Sequence, residues 1–442
     1  MSDVHRARRA RLAQRLEGPA WICAGSPVGR NYPANTHPFR ASSHFLYFVG
    51  QPFEDASLLV EGTDCTLFVH APTLADALWH GPSPSLESLS ARLGCTVKPL
   101  EALNVPPDAA TIPLVHGRHE QEKALGRALG SDADLALIDA VIALRLRHDA
   151  VAIEELKRAA KATVAAHRAG MAATRPGASV HSIRAAMEHV LMSMGMTTAY
   201  PSIVTVRGEV LHNRSYEGTA EPGDLLLADV GAETPGGWAA DVTRTWPVSG
   251  VFSPSQRDFY EVVLRAQRAA IEACGPGARY RDVHVRACEV LADGLVALGV
   301  LEGDPAELVA DGIHALLFPH GIGHLLGLDV HDMEDLGDRA GYAPGRERSE
   351  QFGLSYLRMD RDLRPGMAVT IEPGLYNVPA ILADPKLSEL AGDRINRKVL
   401  ESYSDVRGIR IEDDVLIIEG GCQVLTAALP KKADKVEAMV GG

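Results

Sequence analysis

Two segments of this chain share one pattern, which constrains the fold more than any other feature of the sequence. Residues 222–229 and 365–372 each begin with Pro-Gly, continue as an apolar run and end in an acid seven positions after the proline. Each is followed by a second acid-bearing segment with strand character, at residues 238–246 and 408–416. Turns followed by paired strands indicate hairpin-like units. The repetition predicts a duplicated half-domain that is folded around one site.

Burial of the acids in these strands is energetically unfavourable. A carboxylate that leaves water costs several kcal/mol unless it is paired with a cation or bound to a metal ion. One interpretation is ion pairing, since Arg244 and Arg410 each stand beside an acid-bearing strand. The other is metal binding, because two divalent cations would cancel four negative charges. The four candidate ligands are Asp229, Asp241, Glu372 and Glu412.

Three histidines, His320, His324 and His331, lie in a glycine-rich segment. Glycines beside the first two lower the helix propensity, which argues against a metal-binding helix of the HExxH type. The histidines could be structural, or one of them could complete an oxygen-rich metal site. Hard oxygen ligands with one imidazole suit manganese, cobalt or zinc. Two such ions roughly 3.5 to 4 Å apart clamp a hydroxide and polarise a carbonyl, so the pattern predicts hydrolysis.

Charge and apolar patterning disfavour several classes of protein. The formal net charge of -13 over 442 residues disfavours binding to the phosphate backbone of nucleic acids. The start lacks the apolar core of a signal peptide and no apolar run is long enough to cross a bilayer, so we expect a cytoplasmic protein. The six cysteines contain no CxxC pair and are expected to be reduced thiols. They are Cys23, Cys65, Cys95, Cys274, Cys288 and Cys422.

The chain divides by pattern into two parts. Short apolar runs alternate with helical segments in the first part, which indicates a small α/β domain. A long helix is then predicted at residues 151–173, followed by a second at about 180–194 and two more between 255 and 298. We place the boundary just before the long helix, which gives domains at residues 1–148 and 149–442. The strands predicted in the first part are residues 20–24, 57–60 and 65–70.

Together these motifs resemble the metallopeptidases of the pita-bread fold, which include methionine aminopeptidase, aminopeptidase P and prolidase. The resemblance lies in Asp229, in the Asp-Val-Thr-Arg-Thr run that starts at Asp241, in the His-Gly-Ile-Gly-His run that ends at His324, and in Glu372-Pro-Gly and Arg-Ile-Glu412-Asp-Asp. It implies that these five residues bind two divalent metal ions. Manganese is the first choice, and cobalt and zinc are the alternatives.

The first part of the chain is similar to the non-catalytic domain of aminopeptidase P and prolidase, with a matching stretch at residues 39–50 that methionine aminopeptidases lack. The fold class implied is a creatinase/prolidase-type α/β domain followed by a pita-bread α+β catalytic domain with a pseudo-two-fold internal repeat. The resemblance also implies that residues 1–148 serve in oligomerisation and substrate gating, and that the protein is a homodimer. Trp79 resembles a tryptophan that aminopeptidase P relatives lend across a subunit contact, although it could equally be a core residue.

Segments 353–358 and 376–403 look more like prolidase. The resemblance therefore implies hydrolysis of the Xaa-Pro bond of dipeptides by a metal-bridging hydroxide, with Arg358 holding the free carboxylate in its planar fork. Aminopeptidase P activity on longer Xaa-Pro peptides is the alternative. A further alternative is a binding protein that keeps the fold without catalysis, or a creatinase-like member of the fold. A small peptide is the expected partner, without nucleic acid or membrane.

The resemblance also assigns roles around the metal site. Glu372 is expected to shuttle protons. His212 and His331 are expected to hydrogen-bond the intermediate and the proline side of the substrate, and His320 is expected to shape the proline pocket. Arg410, beside its ligand strand, either binds substrate or steadies a neighbouring ligand.

Overall fold

The computed structural model describes residues 2–441. The chain divides into two compact units, one that ends at Leu146 and one that begins at Arg147.

The first unit is an α/β structure. Its helices are α1 (Ser2–Ala13), α2 (Ser43–Val49), α3 (Leu74–Trp79), α4 (Leu86–Leu93), α5 (Arg118–Leu125) and α6 (Asp132–Arg145). Its strands are β1 (Ala20–Cys23), β2 (Ser57–Glu61), β3 (Asp64–Val69), β4 (Thr96–Pro99) and β5 (Ala110–Thr111), in the sheet order β4-β3-β2-β1-β5. Strand β1 is antiparallel to β2 and parallel to β5. The three strands predicted here are confirmed.

Helix α2 lies in the core of this unit, and all seven of its residues are buried. Its last carbonyls have no partner within the helix, as at any helix end. Two buried arginines of α1 supply donors, Arg8 Nη1 to Tyr47 O at 3.1 Å and Arg9 Nη1 to Phe48 O at 2.7 Å. The basic start of the chain therefore stabilises the core of its own unit.

The second unit contains the remaining elements. Its helices are α7 (Ala150–Ala173), α8 (Val180–Ser193), α9 (Pro254–Ala273), α10 (Tyr280–Ala297), α11 (Pro305–Ala310), α12 (Asp338–Gly341), α13 (Pro379–Leu382), α14 (Pro385–Ala391), α15 (Arg397–Glu401) and α16 (Ala433–Glu437). Its strands are β6 (Thr197–Thr198), β7 (Ile203–Thr205), β8 (Leu225–Asp229), β9 (Ala232–Glu233), β10 (Thr243–Pro247), β11 (Ala368–Ile371), β12 (Gly374–Tyr376), β13 (Gly408–Arg410), β14 (Asp413–Ile418) and β15 (Gly421–Val424). The four long helices predicted from the sequence are confirmed.

This unit consists of two similar halves. In the first, α7 packs against α8 and the sheet order is β10-β8-β7; in the second, α9 packs against α10 and the sheet order is β11-β14-β15. Both sheets are antiparallel. Each half begins at a capped helix, since Asp149 accepts from Ala152 N at 3.0 Å and Ser253 accepts from Gln256 N at 3.1 Å. The predicted internal repeat is confirmed as two halves, each with a pair of helices and a three-stranded antiparallel sheet.

A buried polar network joins the two halves. The backbone N–H of Glu412, in the second half, donates to Thr243 O of the first at 3.0 Å. The fully buried Arg244 of β10 donates to Glu412 O at 2.5 Å and to the Asp413 carboxylate at 2.8 Å. Lys431 also donates to Asp413, at 2.7 Å. Despite burial, which raises it, the pKa of Asp413 is held well below its ordinary value by these two cations.

Among residues 2–441, no helix is both long and apolar enough to span a bilayer. The six cysteines are free thiols, as the sequence predicts.

Candidate active site

The first half of the second unit brings two aspartates together. Strands β8 and β10 pair so that Asp229 lies opposite Thr243, which places Asp241 just before the paired region. Both aspartates are buried. The hydroxyl of Tyr200 lies 2.6 Å from Asp229 Oδ1 and 2.5 Å from Asp241 Oδ1. The single phenolic proton can be donated to only one of these carboxylates at a time. The two aspartates would therefore be stabilised by a further proton or cation between them.

The second half contributes two glutamates. Glu372 directly follows β11, and Glu412 lies between β13 and β14. Strands β11 and β14 are antiparallel, with Ile371 opposite Asp413, so both glutamates emerge at the same end of this pair. The hydroxyl of Thr243 donates to Glu412 Oε2 at 2.7 Å and thereby links the glutamate to the aspartate-bearing half.

His324 is positioned by backbone pairing with β11. Thr370 N donates to His324 O at 3.0 Å and Glu372 N donates to Ile322 O at 2.8 Å. This approach requires Gly323, because a Cβ there would overlap the Thr370 carbonyl. His324 Nδ1 lies 2.9 Å from Leu325 O, where it can only be a donor, so Nε2 carries the lone pair. Nε2 lies 3.3 Å from Asp241 Oδ2 and 3.6 Å from Glu372 Oε1.

All five predicted ligands meet in one place. They fall, with His331, into three overlapping groups whose candidate ligand atoms lie within 4.8 Å of one another. The groups are Asp229 with Asp241 and Glu412, His324 with Glu372 and Glu412, and Asp241 with His324 and His331. Because Glu412 belongs to two groups, the arrangement suits two neighbouring cations that share this carboxylate.

The charge of the site fits cations. Burial first, and the neighbouring Asp229 second, raise the pKa of Asp241 to about 8. Burial also raises the pKa values of Glu372 and Glu412. Arg410 Nη2 offsets one negative charge through its ion pair with Asp229 at 2.5 Å. The remaining negative charge, the hard oxygen donors and the free imidazole nitrogen are together suited to two divalent cations.

Arg410 is fully engaged with protein groups. Its Nε donates to Thr243 Oγ1 at 2.9 Å, its Nη1 to Tyr376 OH at 3.1 Å, and its Nη2 to Asp229. The arginine is 3 % exposed. Of the two roles expected for it, this geometry favours steadying the metal-site residues over binding substrate.

A cavity of about 600 Å³ adjoins the carboxylates. His320 lies on its wall, with Nε2 2.8 Å from Tyr376 OH and Nδ1 2.8 Å from Gly321 O. Burial first and Arg410 second lower the pKa of His320 to about 3, so its ring is neutral. Apolar side chains also line the cavity, including Phe352, Val378 and Ile381. The cavity can therefore hold a small apolar ring beside polar groups.

The outer part of the cavity contains a charged cluster. Arg358 Nη1 donates to Glu334 Oε1 and Oε2 at 2.9 and 2.7 Å, and His331 Nδ1 lies 3.2 Å from Glu334 Oε2. Although burial opposes it, these contacts lower the pKa of Glu334 to about 2. His212 lines the cavity from an exposed position, and burial of part of its ring lowers its pKa. Arg358, His331 and His212 thus lie on one cavity with the carboxylates.

Sequence reasoning missed several residues of this site. Tyr200, Tyr376 and Glu334 carry no motif. The partners of Tyr200 and Tyr376 are 29 to 56 residues away along the chain, whereas Glu334 contacts both the nearby His331 and the more distant Arg358. Asp414 and Thr243 stand inside recognised motifs, yet their contacts became visible only in the structure. Asp414 Oδ1 accepts from Asp241 N at 3.1 Å and so fixes the turn that carries this ligand.

The fold and this cluster define a metal-dependent hydrolase. Residues 154–419 match the family model for metallopeptidase family M24, and residues 5–106 match that for the aminopeptidase P N-terminal domain. The chain belongs to metallopeptidase family M24. The predicted class of enzyme and the predicted fold, an N-terminal α/β domain followed by a pita-bread catalytic domain, are confirmed.

Individual relatives cover almost the whole chain. The Xaa-Pro aminopeptidase of Escherichia coli (strain K12) is 30% identical, over 99% of this chain and 97% of its own length. The Xaa-Pro dipeptidase of Homo sapiens is 29% identical, over 98% of this chain and 92% of its own length. The structure of aminopeptidase PepP from Pseudomonas aeruginosa matches with a TM-score of 0.81 and 27% identity, over 99% of this chain and 98% of that one.

Proposed function

We propose that this chain hydrolyses the Xaa-Pro bond at the amino end of peptides, and that it prefers peptides longer than two residues. The observation that carries the preference is the pairing of the cavity's arginines. Arg348 is paired with Asp338, Arg358 with Glu334 and Arg410 with Asp229. A dipeptide would bring its free carboxylate close to Glu334, whereas a longer peptide has a neutral amide at that position.

The dipeptidase interpretation remains the second candidate. Arg358 lines the cavity and is partly exposed, so its fork could turn from Glu334 towards a substrate carboxylate. The similarity to the Xaa-Pro dipeptidase of Homo sapiens supports the same interpretation.

Asp229, Asp241 and Glu412 would hold one divalent cation, and His324, Glu372 and Glu412 the other. When bound, the cations supply Lewis acidity at a carbonyl and lower the pKa of water. Manganese is our first choice because four of the five donors are hard carboxylates.

The protein's own groups supply proton transfer and orientation. The Glu372 side chain is 17 % exposed, against 12 % for Asp229 and 8 % for Asp241, so it is the most accessible of these three carboxylates. We assign to it the transfer of a proton from the attacking water to the proline nitrogen, which has no N–H of its own. Arg410 positions Asp229, and the neutral His320 with Tyr376 shapes the pocket for the proline ring. We assign hydrogen bonding of the substrate to His212 and His331, since both line the cavity.

Hydrolysis of Gly-Pro and Gly-Pro-Ala by the metal-free and reconstituted chain tests this function. We expect neither peptide to be cleaved after chelation. Activity should return on addition of metal, with a higher rate for manganese than for cobalt or zinc. The value of kcat/KM should be roughly tenfold higher for the tripeptide, since a carboxylate repulsion of about 1.4 kcal/mol gives that ratio. Gly-Ala-Ala serves as the control without proline. Absence of hydrolysis with all three metals would refute the function, and faster cleavage of Gly-Pro would favour the dipeptidase.

Glu334→Gln tests the assignment of chain-length preference. Loss of the carboxylate frees Arg358 for a substrate carboxylate, so we expect the ratio of kcat/KM for Gly-Pro over Gly-Pro-Ala to rise by about tenfold. The exposed Glu347→Gln is the matched control and should leave the ratio unchanged. A second change, Arg358→Met in the Glu334→Gln background, should cancel the gain. An unchanged ratio in Glu334→Gln contradicts the assignment.

We also infer that the first unit forms a homodimer contact through helix α3. Leu74, Leu78 and Trp79 are 89%, 75% and 76% exposed on this short helix, which is an unusual concentration of apolar surface. Trp79 is therefore an exposed residue in this chain, not a core residue. The resemblance of its segment to one at a subunit contact supports the inference.

Sedimentation analysis of Leu78→Asp tests the dimer. We expect the variant to dissociate to monomers at concentrations where the parent chain is dimeric, because a charge placed in a closely packed apolar interface is not compensated. The control is Met192→Asp, which changes an exposed apolar side chain of the second unit. This variant should remain dimeric. A parent chain that sediments as a monomer, or a dimeric Leu78→Asp, would exclude this contact.

A further inference from the structure

A second cluster of potential ligands lies apart from the carboxylate site. His284 and Cys288 stand one turn apart on the same face of α10, and His314 belongs to a short 3₁₀ helix, Ile313–Leu316. One candidate ligand atom from each of these three residues lies within 4.8 Å of the other two. None of the three belongs to the catalytic set.

The cluster is closed to solvent. Cys288 is 0%, His284 2% and His314 4% exposed. His314 Nδ1 has no hydrogen-bond partner, although a buried polar atom without one costs roughly 1–3 kcal/mol. Packing alone leaves this nitrogen without a partner, and a cation bound to it would supply one.

The separation of the donor atoms suits a ligand set. Cys288 Sγ lies 3.5 Å from His284 Nε2. Metal–sulfur and metal–nitrogen bonds of about 2.3 and 2.05 Å meeting at a tetrahedral angle give a separation of roughly 3.6 Å. Burial lowers the pKa of His284 to about 3 and that of His314 to about 4. Both imidazoles are therefore neutral at neutral pH and can offer lone pairs. Burial raises the pKa of the Cys288 thiol well above its ordinary value, so the thiol keeps its proton until a cation binds.

We propose that His284, Cys288 and His314 form a binding site for one thiophilic cation. One thiolate and two imidazoles are the donors that zinc and cuprous copper accept. The Cys288 thiol gives its proton to solvent as the sulfur–cation bond forms, and no electron is transferred. A cuprous ion with one thiolate leaves no net charge in this buried place, whereas a zinc ion leaves one positive charge, so charge favours the monovalent ion.

The site would brace the wall of the cavity. The ring of Phe318 lies between the cluster and the active site, with centroids 5.8 Å from His284 and 4.7 Å from His320. A cation here has a structural role and takes no part in hydrolysis. Since the ligands are buried, we expect it to enter as the chain folds and to resist chelators in the native state.

Cobalt provides a spectroscopic test. The full chain is produced in cobalt-supplemented medium and passed over a chelating resin. We expect a near-ultraviolet charge-transfer band from a cobalt–thiolate bond, which the sulfur-free catalytic set cannot give. Cys288→Ser should lose the band and about one equivalent of retained metal per chain. Cys422→Ser, at a partly buried thiol, is the matched control and should keep both.

Cuprous copper is the second probe. Anaerobic titration of the refolded chain against a chromophoric cuprous chelator should show one Cys288-dependent site. His314→Gln, a milder change for the fold, should weaken binding by at least tenfold in either assay. A parent chain with neither a thiolate band nor Cys288-dependent copper binding overturns the proposal without reference to any variant. Peptide hydrolysis enters neither readout, so the site and the proposed function can fail independently.

Discussion

Glu372→Gln is expected to reduce kcat for Gly-Pro-Ala by roughly 1,000-fold. The change keeps the size and one oxygen of the side chain but removes the negative charge and the ability to carry a proton. Glu372 Oε1 lies 3.6 Å from His324 Nε2 and Oε2 lies 3.9 Å from His320 Nδ1, so both oxygens belong to the site. Loss of proton transfer lowers kcat much more than it raises KM. Steady-state kinetics of the manganese-loaded variant measure both quantities.

Two controls separate this effect from a general disturbance. Glu419→Gln, at an exposed position after β14, should retain full activity. The manganese content of Glu372→Gln, determined after gel filtration, shows whether the lost rate reflects lost metal. A variant that binds both ions and retains more than about a tenth of kcat would contradict the proton-transfer role, since such a role is typically worth 100-fold or more.

The sequence predicts the carboxylate ligands well because these acids lie in apolar segments, where a carboxylate is unfavourable. Asp229 and Glu372 end runs that read as buried strands, and an acid in such a place needs a compensating partner. Both strands are present, and the two acids belong to neighbouring groups of candidate ligands that share Glu412. Long helices were equally predictable, since α7 and α9 begin at strong caps and show continuous helical patterning.

Other parts of the site could not be read from the sequence. The ion pairs of Arg358 with Glu334 and of Arg410 with Asp229 depend on which chain segments meet, and residue type alone leaves several partners possible. The first pair bears on our proposal for substrate length. The sequence motifs look more like prolidase, whereas the pairing of Arg358 with Glu334 supports the proposed preference for longer peptides. The sequence also could not predict that Trp79 is 76% exposed, because a single tryptophan is found both in protein cores and at contact surfaces.

The buried network between the halves has the largest expected effect on stability. Arg244→Met is expected to destabilise the second unit by about 3 kcal/mol, because it leaves the buried Asp413 carboxylate with Lys431 as its remaining cationic partner. Lys431, Gln267 and Thr426 still donate to Asp413, at 2.7, 2.8 and 2.7 Å. The variant also removes the Arg244 donors to the buried Glu412 and Leu429 carbonyl oxygens. Urea unfolding at pH 7, followed by the fluorescence of the buried Trp238 and Trp246, measures the change in the free energy of unfolding.

The loss should also depend on pH in a defined direction. Arg244 contributes more than Lys431 to the depressed pKa of Asp413 in the folded parent chain. The stabilisation from Asp413 is therefore present above the ordinary aspartate pKa of about 4 and is lost as pH falls below it. The difference between parent chain and Arg244→Met should therefore be largest at pH 7 and smaller near pH 3. Arg265→Met removes an exposed pair with Asp293 and should cost less than about 1 kcal/mol at either pH. Equal losses for the two variants at pH 7 would show that the buried pair does not hold the halves together.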